Sequence, residues 1–427
     1  MKQILITILL TLNALSSSIT ATSIDGKKKI LSNIQTALDF LHQYGGGEVQ
    51  LSLGEFIVKE QLKIYDNTTL KGSLNKDGEL GTLIKVEHST TNLPPSKQLP
   101  PLIINEFYNR KDNNSYNHNI IIKNLKIDGN SKKEQKRWSL GSGNAIIINF
   151  LHVKDIELKN LNIQNTLDDA IFIKDGESIN ISNSTIKNSG HSAVFIVESN
   201  NTTVKSMDID INVNSGIRFF GGDNIVIKDN RLYSTSGYGN YGIQVSQAYS
   251  EKPMNNLLIQ NNVIKNTPYA GIALYASRGR DIAKATIEDN FIEGCGAKAP
   301  NLEEFPKTTI EEAGGINIQY FKSVIIKNNI LHNNYGSAIL LDNRFYSSDV
   351  NFTDLDKIKR EVVIANNKII GSQSDKKEAY GIEKHGNSCH LKVTIKDNFL
   401  EKNQNGNLSP NLYKDLNNSN ESNCSQG

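Results

Sequence analysis

Two adjacent acids, an imidazole and a guanidinium recur at an interval that can bring them together. His191 stands 23 positions after Asp168, Asn214 stands 23 after His191, and Arg218 follows four places later. Breaking a glycosidic bond needs one carboxyl group to protonate the leaving oxygen and another group to activate water. Neighbouring carboxylates share a proton readily, because they repel one another when both are charged. An imidazole beside them can tune or carry that proton, and a guanidinium can hold a sugar carboxylate in a forked pair. The structural alternative is plainer: an Asp-Asp pair such as Asp168-Asp169 also serves as a turn or strand cap.

These side chains cooperate only if the chain returns to the same place at each interval. Asp169-Ala-Ile-Phe-Ile173, Ser192-Ala-Val-Phe-Ile196 and Ser215-Gly-Ile-Arg-Phe219 each carry a small residue before alternating apolar positions, the pattern of a strand with one buried face. Ala170 to Ala193 is 23 positions, and Ala193 to Gly216 is 23 again. The phrase returns from Asn144, Tyr241, Ala270, Gly314, Ser337 and Tyr380. A second phrase, apolar-any-Asn/Asp, follows it at Asn183, Asp229, Asn261, Asp289, Asn328, Asn366 and Asp397, with earlier copies at Asn124 and Asn160. Asn and Asp tolerate left-handed backbone, so this column predicts a stacked corner. Strands recurring at this period make the coils of a solenoid, here an all-β, right-handed parallel β-helix. Leucine-rich repeats would need Leu-x-Leu spacing and helical segments, which are missing.

Aligning the phrases puts Asp168, His191, Asn214 and Asn240 in one column and Asp169, Ser192, Ser215 and Tyr241 in the next. Arg218 and Gln244 lie three positions beyond the second column. Adjacent coils are about 4.8 Å apart, so the expected site is a shelf on the outer, solvent-facing surface. Asp168, Asp169 and His191 are the candidate catalytic groups, with Arg218, Gln244, Tyr241 and Asn214 binding substrate. Tyr238, Tyr241, Tyr249, Tyr269 and Tyr275 fall on consecutive coils and predict either an aromatic sugar platform or stacking between coils. Glu198, His332 and His385 are single polar residues near loops, expected to be solvated. No Asp-rich repeat calls for a structural metal, so no metal or cofactor is expected; one carboxylate pair still leaves room for a bound calcium.

Met1 to about Ser23 is expected to be a signal peptide: Lys2 precedes an apolar run from Ile4 to Leu15, with small residues at Ser16 to Ser18 and Ala21. The run is short for a spanning helix. Residues 24–402 are expected to form one β-helix domain, and 403–427 a polar tail without the repeat. Ile30 to Gln43 shows helical spacing, with Ile34, Ala37, Leu38 and Leu41 on one face, and a terminal helix is the natural cover for a solenoid end. Surplus residues at about 296–312 and 342–359 are expected to wall a groove. A loop at 132–143 carries the single tryptophan, Trp138, suited to sugar stacking or to loop packing. Net charge is +2, from 47 basic and 45 acidic residues, so no global field favours nucleic acid or an anionic membrane. Three cysteines exclude a disulfide scaffold, and leave either a Cys295–Cys389 bridge or buried thiols.

The helix followed by Gly45-Gly-Gly-Glu-Val-Gln-Leu-Ser-Leu-Gly54 resembles the opening of the pectin-lyase-like superfamily of carbohydrate-active β-helices. Asp168-Asp169, Gly190-His191 and Gly216-Ile-Arg218 are similar, in that order, to the motifs of polygalacturonase-type hydrolases. The chain departs from them at Asn165 or Leu167, in place of a third carboxylate, and at Phe220, in place of a lysine. Over about Asn180 to Arg280, Asn188-Ser-Gly-His-Ser-Ala-Val-Phe-Ile196, Asn214-Ser-Gly-Ile-Arg-Phe219 and Asn255-Asn-Leu-Leu-Ile-Gln-Asn-Asn-Val-Ile264 resemble the disaggregatase-related family of methanogenic archaea. That resemblance implies cleavage of a chondroitin-like, uronate-containing matrix polysaccharide. The expected activity is a secreted or cell-surface glycoside hydrolase acting on an acidic polysaccharide, with no nucleic-acid partner and no membrane after leader removal. A polysaccharide lyase or C5-epimerase on the same fold is the second expectation, with His191 and Arg218 in the leading roles. A non-catalytic, adhesin-like β-helix is the third.

Overall fold

The computed structural model describes residues 17–87, 100–109, 115–131, 145–235, 240–246, 254–275, 284–296, 314–319, 321–342, 359–373, 379–385 and 391–417. Alternating Ile and Val dictate the architecture. Ile103, Ile148, Ile171, Val194, Ile217, Ile243, Ile272, Ile316, Ile339 and Ile382 are successive register partners in one parallel ladder. All ten are fully buried. A second ladder runs from Ile156 and Ile179 to Val362 and Val393, and a third from Ile163 and Ile186 to Ile369 and Leu400. The result is a parallel β-helix whose interior is one continuous apolar column. Each fully buried Ile in it contributes about 2 kcal/mol relative to exposure.

The predicted corner is present. Asn124, Asn160, Asn183, Asp229, Asn261, Asp289, Asn328, Asn366 and Asp397 all adopt left-handed backbone, with φ between 52° and 60°. A stronger device sits one residue later. Asn230, Asn262, Asn290, Asn329 and Asn367 are buried, and each Nδ2 donates to Oδ1 of the next asparagine at 2.9 Å, the last to Asn398. Their amides also bond backbone groups of the turn, so every buried polar atom of the ladder is used.

Both ends differ from expectation. The helix α1 spans Ile34–Gln43 and buries Ile34, Ala37, Leu38 and Leu41 as its spacing requires. It starts at Asn33, whose side chain accepts the Thr36 N–H at 3.0 Å, and not at Ile30. The preceding segment is instead a strand, β2 (Lys28–Leu31), paired with β1 (Ile19–Ser23), which also pairs antiparallel with β3 (Gly47–Leu51). Ile19 and Ala21 lie in the core. A leader boundary at Ser23 would therefore remove a core strand, and the folded unit begins before Ile19. Residues 1–16, the bulk of the expected leader, lie outside the described residues. At the other end, the expected tail folds through Asn417. Helix α2 (Pro410–Asn417) inserts Leu412 into the core and covers the last coils. Among the described residues no helix is long and apolar enough to cross a membrane.

Candidate active site

The strands Ile171–Ser182, Val194–Val197 and Ile217–Phe220 stack so that Ile171, Val194 and Ile217 are register partners. Counting back three residues, Asp168, His191 and Asn214 therefore share one column, as expected. The backbone closes the stack: Ala170 N–H donates to Ser192 O at 3.1 Å, and Asn214 N–H donates to His191 O at 3.3 Å. Gly190 makes the close approach possible. A Cβ there would stand 1.9 Å from Leu167 O, so any side chain would pry apart the coils that carry the acids and the imidazole.

The side chains converge. His191 Nδ1 lies 2.8 Å from Asp169 Oδ1 and 3.6 Å from Asp168 Oδ1. Asp169 Oδ1 also accepts the Ser192 N–H at 2.8 Å, and Asp168 Oδ1 accepts the Asp169 N–H at 3.0 Å. One oxygen of each carboxylate and one imidazole nitrogen lie within 4.8 Å of one another. The sequence offered no reason to expect a metal but left room for an ion at the carboxylate pair, and among the described residues this set has the composition and closeness for one.

Asn214 fixes the imidazole from the far side. Its Nδ2 lies 2.6 Å from His191 Nε2, while its Oδ1 faces Ser215 Oγ at 3.1 Å and Asn240 Nδ2 at 3.4 Å. An amide oriented this way donates to Nε2, which leaves the ring proton on Nδ1, directed at Asp169. Asn214 is a positioning residue, where the sequence reading had it binding substrate.

Depth is the main correction. Asp168 is 0 %, Asp169 4 % and His191 7 % exposed, where a solvent-facing shelf was expected. Asp169 turns along the stack to take the Ser192 N–H of the neighbouring coil, Asp168 takes the N–H of Asp169, and the His191 ring packs against both. Arg218 and Gln244 are half-buried register partners on the outer face. The Arg218 guanidinium lies 4.8 Å from the Phe195 ring centre and 4.4 Å from that of Phe220. Gln244 Oε1 stands 3.0 Å from Ser215 Oγ. Phe195 was missed, although the interval of 23 aligns Phe172, Phe195 and Arg218 in one column, and Phe220, read as a departure from a lysine, is a second ring against Arg218.

Tyr241 is not a sugar platform. It is 5 % exposed, its hydroxyl accepts from Tyr275 Oη at 2.8 Å, and its ring packs against those of Tyr269 and Tyr275. Tyr238, Tyr249, Trp138, Cys389 and, apart from their end residues, both expected groove walls lie outside the described residues. Cys295 is a buried free thiol. His332 is not simply solvated: its Nδ1 lies 2.9 Å from Glu293 Oε1. Lys265 and His332 together hold that carboxyl below its ordinary range.

The chain matches two families. Residues 111–283 match the right-handed β-helix region, and residues 254–419 match the family described as disaggregatase related, further along the chain than the expected stretch. No curated protein matches the sequence. Among solved structures, the A-module of the Azotobacter vinelandii mannuronan C-5 epimerase AlgE4 superposes with a TM-score of 0.56 at 17% identity, over 88% of this chain and 92% of that one. The exopolygalacturonase of Thermotoga maritima gives 0.51 at 12% identity, over 86% of each chain. The catalytic unit of the GH87 α-1,3-glucanase of Streptomyces thermodiastaticus gives 0.53 at 15% identity, over 91% of this chain and 68% of that one. At these identities the likeness is one of fold. The chain is a right-handed parallel β-helix protein whose residues 254–419 match the disaggregatase-related family.

Proposed function

We propose that this protein is a secreted or cell-surface polysaccharide-cleaving enzyme, a glycoside hydrolase acting on an acidic, uronate-containing polysaccharide of the chondroitin type. The observation that carries the reading is the convergence of Asp168, Asp169 and His191 from consecutive coils to within 4.8 Å. Asp169 and Asp168 supply the acid and the base, His191 carries or tunes the shared proton, and Arg218 pairs with a uronate carboxylate. The β-helix structures similar to this chain include an exopolygalacturonase and a mannuronan C-5 epimerase. No resident metal or cofactor enters this reading.

One observation favours a second reading. Inverting glycosidases hold their two carboxyl groups roughly 6.5 to 9.5 Å apart to admit a water, whereas Asp168 and Asp169 bring one oxygen each within 4.8 Å. A pair this close can act as one proton-transfer unit on a single face of the sugar. That is what abstraction of the C5 proton requires in a lyase or epimerase, with Arg218 neutralising the uronate. Incubation with unsulfated chondroitin, polygalacturonate and alginate separates the readings. New reducing ends without ultraviolet absorbance mean hydrolysis, absorbance of an unsaturated product means elimination, and a changed uronate ratio without chain cleavage means epimerisation. An unaltered panel would sink both.

A further inference from the structure

A second cluster of chemically capable side chains stands on the same outer wall, near the C-terminal end. Ile316, Ile339 and Ile382 continue the core ladder of the first site, so Gln319, Asp342 and His385 are register partners on its outer face, and Glu383 lies two residues before His385. Glu383 carries two close contacts: Ser337 Oγ donates to its Oε2, and His385 Nε2 pairs with its Oε1. Ser337 is itself held by the Tyr380 N–H at 3.0 Å. Asp342 is fully buried and Glu383 is 9 % exposed. These groups lie inside the span matched to the disaggregatase-related family, whereas Asp168, Asp169 and His191 lie before it.

An independent observation points to a ligand. Gln319 is 8 % exposed, stands beside Asp342 in the ladder, and its buried Nε2 has no hydrogen-bond partner among the described residues. Burying an amide donor unpaired costs about 1–3 kcal/mol, and native proteins retain few such groups. A sugar hydroxyl both accepts and donates, so one hydroxyl can satisfy Gln319 Nε2 and donate to a carboxylate. With His385 paired to Glu383, the Asp342 carboxylate still leaves the site negative, which disfavours a uronate there and admits an uncharged unit.

We propose that Gln319, Asp342 and Glu383 form a distal subsite for an uncharged sugar unit, a hexose or N-acetylhexosamine, of the same polysaccharide whose uronate lies at Arg218. This rests on the polysaccharide reading above. The coil of Asp342 is five steps from that of His191, about 24 Å along the axis. Only a chain of several sugars can reach both places.

Calorimetric titration tests it in the Asp169→Asn chain, alone and combined with Glu383→Gln or Gln319→Ala. The probes are unsulfated chondroitin tetrasaccharide and decasaccharide. The decasaccharide is expected to bind more tightly, each added substitution to weaken it about tenfold, the loss of one hydrogen bond to a charged or buried group, and the tetrasaccharide to be unaffected. Equal affinity for the two lengths, or a loss that is absent or the same for both, overturns the subsite. Turnover by the unmodified chain judges the catalytic reading separately. Unchanged melting temperatures confirm that the variants fold.

Discussion

Asp169 Oδ1 and His191 Nδ1 meet at 2.8 Å although 22 residues separate them in the chain. The contact exists because one turn of the solenoid consumes 23 residues, which sets His191 directly beyond Asp168 and lets its ring lean back over Asp169. The chemistry proposed for the protein depends on this single step between coils.

Arg218 tests substrate charge. A lysine at that position keeps the charge but loses the planar fork and the stacking on Phe195 and Phe220. Arg218→Lys is expected to raise KM for an acidic polysaccharide about tenfold while leaving kcat within about twofold. Steady-state kinetics decide it, and an unchanged KM would remove Arg218 from substrate binding.

Gly190 tests the spacing of the coils. An added methyl group would stand 1.9 Å from Leu167 O and 2.3 Å from its carbonyl carbon. Gly190→Ala is expected to cost about 3 kcal/mol, at the upper end for overpacking, and to abolish turnover. Gly216→Ala provides the comparison. Its Cβ would meet the side-chain tip of Leu232 at 2.6 Å and Gly242 O at 2.9 Å, both less severe than the 1.9 Å backbone clash at Gly190, so the expected loss of stability is smaller. Urea denaturation of the two variants gives the order.

The buried asparagine ladder tests what holds the coils in register. Asn329 donates to Ile287 O and Asn367 Oδ1, and its Oδ1 accepts both the backbone and the side-chain N–H of Asn290. Asn329→Ala orphans the buried Asn290 N–H, with an expected cost of about 3 kcal/mol by denaturant unfolding. The same change at the exposed corner, Asn328→Ala, forfeits mainly left-handed backbone tolerance and costs about 1 kcal/mol.

Cys295 predicts a pH dependence. Burial pushes its thiol up to about 11, against hydrogen bonds from Thr267 that pull it down. A folded-state value above the unfolded one, about 8.5, means this contribution is fully present below pH 8.5. It fades as pH rises toward 11, by up to about 3 kcal/mol. The urea midpoint should fall along this limb in the parent chain and flatten in Cys295→Ala. An equal fall in both would assign the limb to other groups.

Much of the architecture was legible because a solenoid writes itself in one dimension. The interval from Ala170 to Ala193 to Gly216 predicts the register partners Ile171, Val194 and Ile217, and with them the column of Asp168, His191 and Asn214. Alternation tells which face a residue takes, not how deep it lies. For that reason Asp168 and Asp169 were expected in solvent and Tyr241 on a platform. The Asn-Asn and Asp-Asn pairs announced a corner, but not which member turns inward to build the ladder. At the ends, β1 adjoins an apolar run that reads as a leader, and α2 inserts only Leu412 into the core, too weak a signal to separate it from a tail. The phrases at Ser337 and Tyr380 align His385 with Asp342, but they do not show that its ring folds back onto Glu383.

The central claim is that the Asp169–His191 contact performs the chemistry. The most direct measurement is kcat/KM on unsulfated chondroitin or another acidic polysaccharide cleaved by the parent chain, compared with Asp169→Asn. Asparagine preserves the shape and an acceptor for the Ser192 N–H, so the fold should melt within a few degrees of the parent. The account predicts a loss of about a thousandfold, the scale of a lost general acid or base. Retention of activity within tenfold, with the fold intact, would contradict it.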